Sequence, residues 1–117
     1  MRDEILQLVD LGPLPSENSE MATEERLRLY EQLLHSIQEP ITDDEACALI
    51  ELFGPDSCFG LAWSILHLIE TAPGWPIQEC LEHANKDNEW IQLLTVRLQN
   101  YFKYHGVRWE DRNQSKQ

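Results

Sequence analysis

The stretch that decides the fold is TDDEACALIELFGPDSCFGLAWSILHLIETAPGWP, residues 42–76. Its segment Leu61–Ile69 is apolar on nearly every side, which is typical of a helix buried at the centre of a helical protein. Thr42 and Glu45 have the spacing of a capping box, so a helix is expected to begin there. A Gly-Pro dipeptide then breaks the chain, and Asp56 is expected to cap the central helix.

Helical periodicity continues on both sides of this stretch. Apolar side chains recur every three or four positions, as they do on the inner face of a helix. Asp87 or Asn88 is placed to cap the last helix. The apolar stripes cover residues 5–9, 27–37, 77–84 and 90–105.

The pattern predicts an all-α fold of about six helices, because no stretch alternates apolar and polar residues as a strand does. Short connections place successive helices antiparallel, as three hairpins. Pro40 and Pro76 each open one helix of a pair and lie 36 residues apart, near the period of helical repeats. A HEAT-like stack and an irregular helical bundle both remain open. Residues 1–105 are expected to form one helical domain, and residues 106–117 a flexible tail.

The charge of the chain restricts its partners. There are 21 acidic and nine basic residues, a net charge of −12 and a pI near 4.5. Residues 29–85 contain ten acidic side chains and no Lys or Arg. Such a surface repels phosphate backbones and anionic lipids, so we expect no direct binding to nucleic acid or membranes. It favours a basic protein partner, although solubility alone is an alternative reason for the charge.

The three cysteines and the apolar segments indicate the cellular compartment in which the protein is expected. Cys47, Cys58 and Cys80 are odd in number and include no Cys-x-x-Cys pair, which predicts reduced thiols in a cytoplasm. The acidic start of the chain is unlike a secretory signal. The most apolar segment, 61–69, is far shorter than the roughly 20 residues of a membrane span.

Two groups of residues resemble a catalytic site and a metal site, but their spacing does not indicate either. Ser64, His67 and Glu70 lie along one helix, whereas a catalytic triad needs side chains that converge from separate elements. Cys80 and His83 form an isolated Cys-x-x-His pair without the paired spacing of structural zinc sites. We therefore expect no enzyme activity, no metal and no cofactor. A hydrolase using Ser64 and His67 stays as a third hypothesis, which an unaltered phenotype of His67→Ala would remove.

A docking surface is the site that the sequence favours. In a stack of hairpins, two acidic groups on successive pairs lie on one edge. A tryptophan in the proline-flanked turn between them either packs over the core or stands out as a binding anchor. The candidate partner-binding residues are Asp43, Asp44, Glu45, Trp75, Glu79 and Glu82.

Three segments resemble a known family: LFGPDS at 52–57, GLAW at 60–63 and LHLIETAPGWP at 66–76. They are similar to small bacterial immunity proteins encoded beside polymorphic toxins, in contact-dependent and related growth-inhibition systems. The resemblance covers residue 52 to about residue 100. It implies a protein that binds a toxin domain made by the same or a sibling cell and occludes its active site.

Two binding hypotheses therefore stand. The first is an immunity protein, monomeric before complex formation, that neutralises a cognate basic toxin domain, for example a nuclease, since nucleases must be basic to hold nucleic acid. The second is an acidic adaptor or nucleic-acid mimic that occupies a basic DNA-binding protein. A neighbouring gene for a toxin domain would favour the first.

Overall fold

The structure is a computed structural model that describes residues 1–75 and 78–105, with side chains over 1–75 and 79–100. This part of the chain contains six helices and no strand, which confirms the predicted all-α class. The predicted tail, 106–117, lies outside the described residues. The helices are α1 (Asp3–Leu11), α2 (Glu24–Ser36), α3 (Asp43–Ile50), α4 (Leu61–Ile69), α5 (Gln78–Glu82) and α6 (Glu89–His105).

The helices pack as successive pairs. Helix α1 contacts α2, α3 contacts α4, and α5 contacts α6. Between pairs, α1 contacts α3, α3 contacts α5, and α2 contacts α4. First helices therefore pack on first helices, and the second helices α2 and α4 pack on each other. This order of contacts is compatible with both arrangements that the sequence left open, a stack of hairpins and a helical bundle.

Helix α3 begins where the sequence predicted. The Thr42 side chain accepts a hydrogen bond from the backbone N–H of Glu45 at 3.1 Å, and the Glu45 carboxylate accepts one from the N–H of Thr42 at 2.9 Å. This reciprocal pair satisfies two N–H groups that the helix leaves open. Helix α6 is capped by Asn88, whose side-chain oxygen accepts from the N–H of Trp90 at 2.8 Å.

The start of α4 differs from the prediction. Asp56 is not its N-cap, because the helix begins at Leu61, after Gly60. Gly60 has a φ of 91°, a left-handed conformation that glycine adopts without steric cost. The Asp56 carboxylate instead accepts from the backbone N–H groups of Glu17 and Cys58. The aspartate therefore ties the loop before α4 to the segment between α1 and α2.

Helix α4 is the centre of the core, as predicted. Six of its nine residues are buried, and Leu66 and Ile65 are fully inaccessible. The prediction of burial on nearly every side is wrong for one face, because Trp63 is 44% exposed and His67 is exposed. Around α4, the core takes in residues from every other helix whose side chains are described, among them Ile5, Tyr30, Leu49 and Leu94.

A disulfide joins the second and third pairs. Cys47 on α3 and Cys80 on α5 are bonded, with their Cα atoms 5.7 Å apart. The prediction of three reduced thiols is therefore wrong for this pair, and only Cys58, which is buried, is free. The spacing of the cysteines in the sequence carried no sign of this bond, because stacking of α5 on α3 is what brings the two sulfurs together.

Candidate functional site: two surfaces for a protein partner

The two helices that carry the predicted acidic groups pack against each other. Helix α3 contacts α5, and the Cys47–Cys80 disulfide links them. The Asp43 carboxylate accepts a hydrogen bond from the N–H of Gly74 at 2.7 Å, which fixes the turn after α4 against the start of α3. The edge that carries the two groups is thus held by one covalent bond and one charge-assisted hydrogen bond.

Glu45 does not belong to the exposed part of this edge. It is 1% exposed, and its carboxylate accepts from the Arg2 side chain at 2.8 and 3.1 Å and from the Arg2 backbone N–H at 3.1 Å. Hydrogen bonds from Arg2 lower the pKa of Glu45 to about 2 against the opposing effect of burial, and the N–H of Thr42 adds to the lowering. The predicted docking role of Glu45 is corrected on this ground, since the carboxylate is used to pin the chain before α1 to α3.

Trp75 is also buried. It is 8% exposed, and its backbone N–H donates to the carbonyl of Ala72 at 3.0 Å. The turn folds the ring back onto the protein, so Trp75 packs over the core, and its predicted role as a partner-binding residue is corrected. We call the exposed carboxylates that remain the acidic patch: Asp43, Asp44, Glu79 and Glu82.

Within the Ser64, His67 and Glu70 strip, Glu70 has a structural role. The Glu70 carboxylate accepts two hydrogen bonds from the Arg97 guanidinium, at 2.6 and 2.7 Å, and so joins α4 to α6. This pairing raises the pKa of Arg97. The His67 ring is exposed, with its Nδ1 3.9 Å from a Glu70 oxygen. The strip lies at the surface beside Trp63, and Glu70 is committed to Arg97 rather than to orienting His67.

A second surface, which the sequence reasoning missed, lies at the start of α4. Phe59, in the loop before α4, is 64% exposed, and Trp63, in the first turn of α4, is 44% exposed. We call this pair the aromatic ridge. Tryptophan is among the residue types most enriched at the hot spots of protein interfaces, and phenylalanine is enriched across such interfaces. The sequence analysis places Trp63 in a buried helix and gives Phe59 no role.

The loop that leads into the ridge has an unusual backbone. Cys58 and Phe59 have φ angles of 48° and 56°, and Gly60 follows at 91°. Left-handed conformations are strained for residues with a Cβ, above all for bulky ones, and persist only where the surroundings enforce them. Only Gly60 could have indicated this loop from the sequence. We call residues 58–60 the left-handed loop.

Two carboxylates accept hydrogen bonds from this loop and hold that conformation. The Asp56 carboxylate accepts from the N–H of Cys58 at 2.9 Å, and the Glu17 carboxylate accepts from the N–H of Phe59 and the hydroxyl of Ser57, both at 2.9 Å. Hydrogen bonds lower the pKa of Asp56, and the bond from the N–H of Glu17 has the largest effect. Burial, reinforced by the two nearby carboxylates, raises the pKa of the Cys58 thiol to about 11. The Cys58 thiol is therefore neutral and buried, whereas the Phe59 ring is exposed to solvent.

Trp63 is fixed by other rings. It meets Trp90 edge to face, with centroids 5.0 Å apart, and lies 6.3 Å from the His67 ring. Trp90 itself stacks on Phe53 and donates its indole N–H to the carbonyl of Asp56 at 3.0 Å. The ridge is therefore held on rigid supports at both ends.

Comparisons of the chain with models of known families, with curated proteins and with solved structures found no match. Among the described residues, no cluster of three or more His, Cys, Asp or Glu side chains is arranged to hold a metal ion, and the sulfur of Cys80 is bonded to Cys47. No helix in the same residues has the length and apolar character needed to cross a bilayer.

Proposed function

We propose that this protein is an immunity protein that binds a cognate basic toxin domain and neutralises it by occluding the active site. It acts as a monomer of 13.7 kDa until the complex forms. The proposal rests on the sequence resemblance and on the distribution of charge.

The uncompensated acidic charge is the observation that carries the proposal. Residues 1–100 contain 19 acidic and five basic side chains. Three of those five are already paired within the fold, since Arg2 binds Glu45, Arg28 binds Glu24 and Arg97 binds Glu70. The field outside the protein is therefore strongly negative, and it accelerates association with a basic surface.

The acidic patch is suited to such an encounter because its backbone is fixed. The Asp43 to Gly74 hydrogen bond and the Cys47–Cys80 disulfide hold the start of α3, the turn and α5 together. A preorganised surface loses less conformational freedom when it binds. Asp44 and Glu79 are exposed on it and are the charges that we expect to face the toxin.

The test co-purifies the protein with the products of its native operon, and then measures association and dissociation rates with the toxin domain that binds. The on-rate should fall steeply from low to high salt, since charges more than about 10 Å apart are screened at 0.1 M, while the off-rate changes little. Asp44→Lys with Glu79→Lys should slow association more than the matched control, Glu20→Lys with Glu25→Lys. Both controls are exposed glutamates and give the same change in net charge.

Two results would contradict the proposal. One is the absence of binding to the toxin domain together with failure to protect cells that express it. The other is a nucleic-acid-mimic activity, seen as competition with duplex DNA for a DNA-binding protein without any protection from the toxin, which is the second hypothesis. If binding occurs but the test and control pairs act alike, the acidic patch is not the contact surface.

The compartment is part of the proposal. Reduced thiols were the argument for a cytoplasmic location, and the Cys47–Cys80 disulfide removes it, because disulfides persist mainly in oxidising compartments. Quenching intact cells with acid, which stops thiol exchange, and then alkylating the denatured protein decides the point. Three alkylated cysteines indicate a reducing compartment, and one indicates an oxidising compartment.

A further inference from the structure

A groove opens beside Phe59, between α2 and the start of α4. Its volume is about 230 Å³. Glu31 and His35 line it from α2, while Phe59, Leu61 and Ser64 line it from the other side. An anionic carboxylate and an aromatic ring therefore face one small space.

The polar groups around the groove favour a cation over an anion. No Lys or Arg occurs in residues 29–85, and the preceding Arg28 is paired with Glu24 at 2.7 Å. The N-terminus of a helix often attracts anions through open N–H groups. Here the N–H groups of Gly60, Leu61 and Trp63 donate within the turn itself, to Ser57, Cys58 and Gly60.

The left-handed loop holds the phenyl ring at the rim of this groove. The carboxylates of Asp56 and Glu17 bind the loop's backbone, so the ring is presented in a conformation that does not have to be assembled on binding. A cation placed over an aromatic face is attracted by the ring, and an arginine side chain also covers apolar surface with its stem.

We propose that this groove receives a lysine or arginine side chain from the surface of the protein partner, with the charge beside Glu31 and the side chain against Phe59. This inference rests on the proposed function, since it assumes a basic protein partner. It also supplies the exposed aromatic contact that Trp75, which is buried, does not provide.

The experiment uses a defined probe, the acetylated and amidated peptide Arg-Ala-Arg-Ala-Arg-Ala, titrated into the full-length protein at low salt while amide NMR shifts are recorded. We expect the shifts to concentrate in residues 27–35 and 57–64. A peptide with Glu in place of Arg should cause none. Shifts spread evenly over the acidic surface, or confined to the acidic patch, would overturn the proposal.

Two variants sharpen the test. Glu31→Gln should weaken peptide binding about fivefold, whereas Glu51→Gln, which removes an exposed carboxylate that does not line the groove, should weaken it by less than about twofold. Phe59→Asn should also weaken binding about fivefold without loss of stability, because asparagine tolerates the left-handed conformation. Equal effects of Glu31→Gln and Glu51→Gln would overturn the proposal.

The same variants separate this inference from the proposed function. If the toxin domain binds the wild-type protein and both groove variants equally, the groove is not where the partner docks, and the immunity function still stands. If the toxin domain does not bind at all while the peptide shifts remain in the groove, the proposed function fails and the cation site remains.

Discussion

Replacing Glu45 by glutamine tests the ion pair that fixes the chain before α1. The carboxylate is buried and receives hydrogen bonds from the Arg2 side chain, the Arg2 backbone and Thr42. Its pKa falls from the ordinary value of 4.5 to about 2. Each unit of such a difference is worth 1.36 kcal/mol, so the ionised form contributes about 3 kcal/mol to the free energy of unfolding.

The lowered pKa of Glu45 determines how the stability of the fold depends on pH. A carboxyl whose pKa is lower in the folded state stabilises the fold above its unfolded pKa, and this contribution disappears as pH falls from about 4.5 to about 2. Glu45→Gln should therefore be less stable than the wild type by about 3 kcal/mol at pH 7. The two proteins should become nearly equal close to pH 2.

Urea unfolding followed by tryptophan fluorescence at several pH values between 7 and 2.5 measures this difference. Glu51→Gln is the matched control, since Glu51 is exposed and its removal should cost less than about 0.5 kcal/mol at every pH. A cost for Glu45→Gln below about 1 kcal/mol at pH 7 would refute the reasoning, as would a cost that does not change with pH.

Three further changes act on the core and the disulfide. Leu66→Ala should lower the free energy of unfolding by about 2–5 kcal/mol in urea, while Leu6→Ala, at an exposed site, costs under about 1. Trp75→Ala should cost about 3–5 kcal/mol and lower the melting temperature of the free protein; an unchanged melting temperature would mean that Trp75 is not in the core. Reducing Cys47–Cys80, 33 residues apart, should cost about 3–4 kcal/mol. Under denaturing conditions the unreduced protein should titrate one thiol, and three would contradict the bond.

Much of the helical framework could be predicted because its signals are local. The capping box at Thr42 and Glu45 formed as expected, and so did the cap at Asn88. Asp56 was predicted wrongly because its carboxylate binds the N–H of Glu17, 39 residues away in the sequence. A local cap and a distant contact compete for the same carboxylate, and nothing near Asp56 indicates which prevails.

The candidate site was less predictable because exposure is a tertiary property. The sequence placed α3 and α5 on one edge, and their contact agrees with that. It could not show that Arg2 would bury Glu45, that the turn would fold Trp75 inward, or that Cys47 would meet Cys80. Phe59 was missed for a different reason: a phenylalanine in a left-handed conformation runs against the local preference of the residue.

The buried thiol of Cys58 offers a built-in reporter of local opening. It is the single free cysteine, it is fully inaccessible, and its pKa of about 11 leaves it protonated at neutral pH. A thiol-reactive dye can therefore label it only in molecules whose left-handed loop has opened transiently. The labelling rate of the native protein, compared with that of the unfolded chain, gives the population of the open form. Partner binding at the neighbouring groove should slow the labelling, so a kinetic trace could follow complex formation without any engineered probe.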